Sequence, residues 1–182
     1  IAAGEVVERP ASIVKELVEN AVDAGATKIT VEIQGGGVRY IRVTDNGSGI
    51  PREDVKNAFL RHATSKVRVQ EDLGHITTMG FRGEALASIA AMCRVEMLTR
   101  TADEIAGTRY TIAGGEPGEL ADAGCPVGTT ISVRDVFYNT PARMKFLKKD
   151  LSEGNSVAAV VEKEALANPQ ISFKFIRDGA VR

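Results

Sequence analysis

The sequence predicts an α+β fold, a two-layer sandwich in which a mixed, largely antiparallel sheet carries its helices on one face. Segments that alternate apolar and polar residues follow one another through short turns, which is typical of antiparallel strands. Amphipathic helical segments are interleaved with them, and each needs the sheet to cover its apolar side. At 182 residues the chain is long enough for one core. Because no internal repeat or linker divides it, we expect a single domain over residues 1–182.

The predicted elements follow from periodicity and from turn residues. Helical spacing runs from Pro10 to Ala24, with Pro10 in the first turn, Ser12 as a cap and Gly25 as the stop. Alternation predicts a hairpin of strands at 28–34 and 38–44 around the glycines 35–37. Further helices are predicted at 52–59, 83–91 and 152–167, and further strands at 94–100, 107–113, 129–136 and 171–177. Residues 61–82 have no sustained periodicity, and long loops of this kind are usually functional.

Composition excludes several classes of protein. No apolar run approaches the roughly 20 residues of a membrane span, so we expect no membrane partner. Cys93 and Cys125 lack the spacing of a zinc or redox motif, and we expect both to be reduced and buried. A net charge of −1 argues against a basic surface built for nucleic acid. The densest basic run, residues 143–149, is typical of a solvated face. Without a secretory leader, the expected compartment is the cytoplasm.

Polar oxygens line one side of the first predicted helix. Glu16, Asn20 and Asp23 fall within about 60° of one another on a helical wheel, opposite an apolar face. An ordinary solvated face is the alternative, but such a face usually mixes lysine with glutamate, and none of the three is a cation. Acid and amide oxygens suit Mg²⁺, which keeps several waters when it binds protein. A carboxylate there also suits a base that activates water.

Two glycine-bearing loops are further candidates for ligand binding. In residues 45–49, Gly47 and Gly49 permit close backbone approach, and Asp45 can accept a hydrogen bond from an exocyclic amine such as that of adenine. Residues 80–85 open a helix, whose free amides and positive dipole end favour phosphate. This second loop lacks the lysine and hydroxyl of a Walker A motif. Taken alone, either loop is equally consistent with an ordinary turn or helix cap.

Taken in order, these motifs resemble those of the gyrase, Hsp90, histidine kinase and MutL ATPase superfamily. They are Glu16…Asn20, Asp45-x-Gly47-x-Gly49, Gly80-x-x-Gly83 and Gly128-Thr129-Thr130. Within that superfamily, residues 1–10, 61–66, 80–86 and 137–143 resemble the N-terminal ATPase domain of the MutL family of DNA mismatch repair proteins. The likeness covers nearly the whole chain, and four spaced motifs are far more specific than one.

The resemblance implies a Bergerat-type ATP-binding fold with a role for each motif. Glu16 would be the general base, Asn20 the magnesium ligand, and Asp45 the acceptor of the adenine amine. Thr129 or Thr130 would lie close to the adenine, with Gly47 and Gly49 shaping that pocket. The phosphates would be held by Thr64, Lys66, Gly80, Phe81, Arg82 and Gly83, within a lid formed by residues 61–82.

The implied function is ATP binding and slow, Mg²⁺-dependent hydrolysis, as the nucleotide switch of a DNA mismatch repair protein. In the family a second domain supplies a lysine to the γ-phosphate, and residues ahead of Ile1 help to form a dimer. We therefore expect this chain to be a weak, mostly monomeric ATPase that binds DNA weakly. The longer protein would act as a homodimer with a mismatch-recognition protein and DNA.

Two alternatives to this function stay open. One is another ATPase of the superfamily, such as a kinase or chaperone, against which residues 137–143 argue. The other is a nucleotide-binding or DNA-binding module without turnover. Glu16 argues against that module, because a pure sensor needs no base.

Overall fold

The computed structural model describes residues 7–60 and 84–182, which contain one eight-stranded sheet. Among these strands, β1 and β7 pair in parallel and every other neighbouring pair is antiparallel. The spatial order is β5-β4-β3-β6-β2-β1-β7-β8. The strands are β1 (Lys28–Gln34), β2 (Tyr40–Asp45), β3 (Arg94–Arg100), β4 (Gly107–Ala113), β5 (Glu116–Ala123), β6 (Gly128–Arg134), β7 (Ser172–Arg177) and β8 (Ala180–Val181).

The described residues contain five α-helices, and those with buried residues cover one face of this sheet. They are α1 (Pro10–Asp23), α2 (Arg52–Ala58), α3 (84–92 in the part described), α4 (Pro141–Lys145) and α5 (Asp150–Ala167). Every second residue of β1 and β3 is buried while the residues between them are partly exposed, so only one face is packed. α1 lies on β2 beside α5 and turns its apolar side, including Ile13, Leu17 and Val18, into the core. The predicted α+β class is therefore confirmed.

Several predicted details need correction. α1 begins at Pro10 with Arg9 as its N-cap residue, so Ser12 lies inside the first turn and does not cap the helix. Gly25, at a φ of +77°, follows the helix as predicted. The sequence did not predict β5 or α4. β5 is a largely exposed edge strand and shows no apolar alternation, and α4 has only five residues, none of them buried.

Both cysteines are free thiols, as expected, but only one is buried. Cys93 lies in the core, where burial raises the pKa of its thiol to about 12. It is therefore protonated at any physiological pH and unreactive. Cys125 is only half-buried, because it lies in the loop between β5 and β6 at the edge of the core. In the described residues no helix has both the length and the apolar composition that a membrane span requires.

A buried carboxylate joins the chain ahead of α1 to the start of α5. Glu153 is fully buried and accepts from Nη1 of Arg9 at 3.3 and 3.1 Å, one distance to each carboxylate oxygen. It also accepts from the backbone amide of Lys148 at 2.7 Å. Arg143 donates from Nη1 to the carbonyl oxygen of Val7 at 3.0 Å. Charge-assisted bonds of this kind hold residues 7–9 and the loop ahead of α5 in fixed positions.

Candidate functional site

The end of β2 places a carboxylate on the helix-covered face of the sheet. Asp45 alternates with the buried residues Ile41 and Val43, so its side chain is directed to the same face. The backbone amide of Gly47 donates to Oδ1 of Asp45 at 2.8 Å. Burial raises the pKa of Asp45 above its ordinary value, and the backbone amides of Gly47 and Thr129 partly oppose that rise. Asp45 therefore pays a desolvation cost that a ligand donor can offset.

Two threonines continue from Asp45 across neighbouring strands. Asp45 is opposite Thr129 of β6, and Thr129 is opposite Thr99 of β3, so the three share one face. The hydroxyl oxygens of Thr99 and Thr129 lie 2.8 Å apart. Thr99 is fully buried, donates to the carbonyl of Gly128 at 3.1 Å and accepts from the amide of Ile50 at 2.9 Å. These contacts form a polar row at the edge of an apolar core.

Thr99 is a site residue that the sequence analysis missed. It alternates with the buried residues Val95 and Met97, so the pattern alone assigns it to the inner face of its strand. A threonine in that position is a usable signal of a polar pocket. The sequence could not predict that Thr99 lies near Asp45, because it does not show that β6 lies between β2 and β3.

The structure separates the two threonines of the Gly128-Thr129-Thr130 motif. Thr130 is opposite Thr44, and its hydroxyl donates to that of Thr44 at 3.3 Å. Successive residues of a strand face opposite sides of a sheet. Thr129 therefore lies on the face of Asp45, and Thr130 lies on the other face, away from the polar row.

The glycines after Asp45 allow the loop to pack against the protein's own backbone. A Cβ at Gly47 would lie 2.7 Å from the carbonyl oxygen of Ala24, at the end of α1. A Cβ at Gly49, whose φ is +76°, would collide with the carbonyl of Arg100, at the end of β3. The loop sequence predicts that these glycines allow close approach of a ligand. The close approach that the structure records is to Ala24 and Arg100.

Gly49→Ala is expected to destabilise the protein by about 2 kcal/mol or more, because it combines a backbone collision with a left-handed conformation. Denaturant unfolding of both proteins measures the difference. Gly124→Ala is a matched control, since an added Cβ there meets nothing within 4 Å. An equal effect of the two substitutions would contradict the assignment.

Hydrogen bonds join the loop after Asp45 to the end of α1 and to the turn that follows it. The amide of Ser48 donates to the carbonyl of Ala24 at 2.9 Å. Oδ1 of Asn46 accepts from the amides of Thr27 and Lys28 at 2.8 and 3.0 Å, and its Nδ2 donates to the Thr27 hydroxyl at 2.8 Å. Asn46 thus braces the turn that leads from α1 into β1. These bonds fix the position of Asp45 relative to α1.

The polar side of α1 continues away from this loop. The amide of Ala24 donates to the carbonyl of Asn20 at 3.0 Å, one helical turn earlier. Asn20 and Glu16 therefore precede Ala24 by about 6 and 12 Å along the axis. Both are partly buried, and 13% of the Glu16 side chain is exposed. The Asp45 loop, the side-chain amide of Asn20 and the carboxylate of Glu16 therefore follow one another along the axis of α1.

A cation lies beside the polar side of α1, although Glu16, Asn20 and Asp23 themselves include none. The ammonium of Lys15 lies 3.9 Å from Oε1 of Glu16 and 3.4 Å from Oε2 of Glu19. Lys15 and Glu19 are four positions apart, a spacing that brings two side chains together on a helix. The lysine is half-exposed, so the pair is screened by solvent.

The predicted phosphate-holding residues lie outside the described residues. They are Thr64, Lys66, Gly80, Phe81, Arg82 and Gly83. The helix that follows them, α3, is described from residue 84 onward.

The oxygen donors on α1 fit magnesium. In residues 7–60 and 84–182 there is no group of three or more histidine, cysteine, aspartate or glutamate side chains that could enclose a metal. Mg²⁺ does not need one, because it binds through one or two protein oxygens, several waters and substrate phosphates. The side-chain oxygen of Asn20, partly buried beside Glu16, is such a donor. Bound there, magnesium would neutralise phosphate charge.

Comparison with known proteins defines the class to which this site belongs. Residues 8–113 match the family described as histidine kinase-, DNA gyrase B-, and HSP90-like ATPase. The match covers α1, the Asp45 loop and β3. The chain belongs to this ATPase family.

Within this class the chain is similar to DNA mismatch repair protein MutL. It is 58% identical over 182 residues to MutL of Agathobacter rectalis, and 57% identical over 182 residues to MutL of Caldanaerobacter subterraneus subsp. tengcongensis. All of the chain is covered in both comparisons, but it spans only 28% and 31% of the two relatives. The solved Aquifex aeolicus MutL ATPase domain complexed with ADP has a TM-score of 0.81 and 36% identity, over 97% of this chain and 62% of that one.

Proposed function

We propose that this domain binds ATP with the adenine at Asp45 and the phosphates along α1, and that it hydrolyses ATP slowly with Mg²⁺. The observation that carries the proposal is the order of the polar groups. Asp45, Asn20 and Glu16 follow one another from the loop along the helix. The adenine, the metal-bound phosphates and the terminal phosphate follow one another along ATP in the same order. A similar MutL ATPase domain was solved complexed with ADP.

In this proposal the polar row selects adenine. The ionised carboxylate of Asp45 accepts from the exocyclic amine, whereas a guanine carbonyl in that position would face a like-signed oxygen. The Thr129 hydroxyl reaches the base directly or through a water, and buried Thr99 holds that hydroxyl in place. Gly47 and Gly49 shape the pocket by letting the loop pack on α1 and β3. Because Thr130 faces the other side of the sheet, we leave it out of the pocket.

In this proposal the phosphates extend along the polar side of α1, from Asn20 toward Glu16. Asn20 supplies an oxygen ligand to magnesium. Phosphate contacts are proposed from the resemblance alone for Thr64, Lys66, Gly80, Phe81, Arg82 and Gly83. A helix N-terminus preceded by glycines is a favourable place for phosphate oxygens, since its free amides carry partial positive charge.

Hydrolysis requires a base next to the attacking water, and we assign that role to Glu16. Its carboxylate takes a proton from water as the water oxygen bonds to the γ-phosphorus. The bond from that phosphorus to the β–γ bridging oxygen breaks, and ADP leaves with the electron pair.

Asn20→Ala is expected to weaken ATP binding about tenfold in the presence of Mg²⁺ and to leave metal-free binding unchanged, since one oxygen ligand of the metal is lost. Isothermal calorimetry with ATP and a non-hydrolysable analogue, with and without Mg²⁺, measures both affinities. Asn57→Ala, in exposed α2, is the matched control. Equal weakening under both conditions would show that Asn20 acts on the fold or on the nucleotide rather than on the metal.

We further propose that the domain is the nucleotide switch of a longer mismatch repair protein that works as a homodimer with a mismatch-recognition protein and DNA. Similarity to MutL over the whole chain supports this role. The 182 residues alone would be a weak ATPase, because the second domain of the family supplies a further lysine to the γ-phosphate.

The 182-residue chain is expected to be monomeric with and without ATP. It is also expected to bind DNA only at low salt, because its net charge is −1. Light scattering and salt-dependent filter binding test both expectations. A nucleotide-dependent dimer at moderate concentration, or DNA binding that survives moderate salt, would contradict them.

A further inference from the structure

Three large apolar side chains are exposed within residues 144–151, which we name the 144–151 patch. The exposed fraction is 81% for Phe146, 69% for Leu151 and 38% for Met144. The three lie where α4 ends and α5 begins, within eight consecutive residues. Single exposed apolar residues are ordinary, but an aromatic, a methionine and a leucine together are the composition of a binding surface.

The same stretch carries an excess of positive charge. Lys145, Lys148 and Lys149 are exposed, and in the residues that the structure describes none of the three takes part in an ion pair. By contrast, Arg9 and Arg42 are each bonded to a carboxylate. These lysines flank Phe146 in the chain, one before it and two after it, and their ammonium groups are available to an acidic partner.

The backbone beneath this patch is held firmly. The fully buried Glu153 accepts from the amide of Lys148 and from Arg9, and Arg143 bonds to the carbonyl of Val7. A pre-organised surface loses little conformational entropy when a partner binds. This buried network fixes the backbone on both sides of Phe146, whose side chain is exposed.

We propose that the 144–151 patch docks an acidic segment of a partner protein, in which apolar side chains cover Phe146 and carboxylates meet the three lysines. The apolar anchors favour a polypeptide over nucleic acid, because a phosphate backbone has nothing that buries Phe146, Met144 and Leu151 together. A second copy of this chain fits poorly. A two-fold contact would set the lysines of one patch against those of the other.

A synthetic peptide of alternating aspartate pairs and leucine or phenylalanine is a direct probe, and fluorescence anisotropy of the labelled peptide measures its binding to the 182-residue chain. We expect Phe146→Ala to weaken binding about tenfold or more, and Lys148→Glu with Lys149→Glu to weaken it further and to remove its salt dependence. Ile105→Ala and Lys163→Glu, at exposed positions elsewhere, are the matched controls and are expected to leave binding unchanged.

ATP affinity and thermal midpoint, measured on the same variants, separate docking from folding, because no side chain of the patch belongs to the nucleotide site. Peptide binding that the Phe146 and lysine variants retain would overturn the proposal. It would also be overturned if oligonucleotides bound through the same lysines while the peptide did not bind. Self-association of the chain that Phe146→Ala abolishes would assign the patch to a second copy instead.

Discussion

Replacing Asp45 with asparagine is expected to weaken adenine nucleotide binding by up to about a hundredfold and, at neutral pH, to raise the thermal stability of the free protein. The loss follows from removing a charged acceptor from a half-buried position. A hydrogen bond to a charged group contributes about 1.5–3 kcal/mol, so affinity falls about a hundredfold at the upper end of that range. The gain in thermal stability follows from removing a carboxylate charge whose burial destabilises the folded protein.

Both effects depend on pH in a definite direction. The pKa of Asp45 is raised in the folded protein, so protonation stabilises the fold, and that contribution is lost as pH rises through the folded pKa. The stability advantage of Asp45→Asn is therefore present at neutral pH and disappears as pH falls through that pKa. Nucleotide affinity of the unsubstituted protein falls over the same interval, because the acceptor becomes protonated.

Calorimetry with ADP, together with thermal unfolding at several pH values, measures both effects in one pair of proteins. Asp54→Asn, at an exposed position in α2, is the control that carries the same chemical change without burial. If Asp45→Asn binds ADP normally, the adenine assignment is wrong. If it binds no ADP and is less stable at neutral pH, the carboxylate instead serves the fold.

Glu16→Gln is expected to keep ATP affinity and to lose most turnover. Glutamine has nearly the same shape but cannot take a proton from water, and general base catalysis typically contributes 10²–10⁴-fold, or about 3–5 kcal/mol of barrier. Single-turnover measurements with radiolabelled ATP at high protein concentration give the chemical rate even for a weak ATPase. Calorimetry on the same variant checks that ATP still binds.

Glu19→Gln is the matched control for this experiment. Glu19 lies on the same helix and shares Lys15 with Glu16, so its replacement disturbs the same local charge without removing the proposed base. An unchanged rate in Glu16→Gln would remove this residue from the mechanism. Equal losses in both variants would attribute the effect to Lys15 or to the charge of α1.

The strands that line the core were predictable from the sequence, whereas the exposed edge strand β5 and the short helix α4 were not. β1, β3 and β4 have the predicted bounds, because a strand covered on one face must alternate apolar and polar residues. β5 has no such constraint, since it is the exposed edge of the sheet. α4 is shorter than two helical turns, so it shows no periodicity.

The candidate site was predictable in its parts but not in its assembly. Helical spacing assigned Glu16 and Asn20 to one side of α1, and the loop chemistry singled out Asp45. Neither showed that Thr129 and Thr99 adjoin Asp45, because strand order is a property of the whole sheet. Alternation places Thr129 and Thr130 on opposite faces of the sheet. Which of the two shares the face of Asp45 is known only from the pairing of β6 with β2.

The strand order also has a consequence for how the polypeptide folds as the ribosome makes it. β1 and β2 are synthesised early, but β2 pairs with β6, and β1 pairs with β7 from Lys28 opposite Ser172. At usual rates of translation, the later strands emerge on the order of ten seconds after the first hairpin. During that interval both edges of the hairpin are unpaired and open to wrong partners. The polar row at Asp45, the proposed adenine site, forms only when β6 inserts, so the nascent chain cannot complete that site before residues 128–134 have emerged.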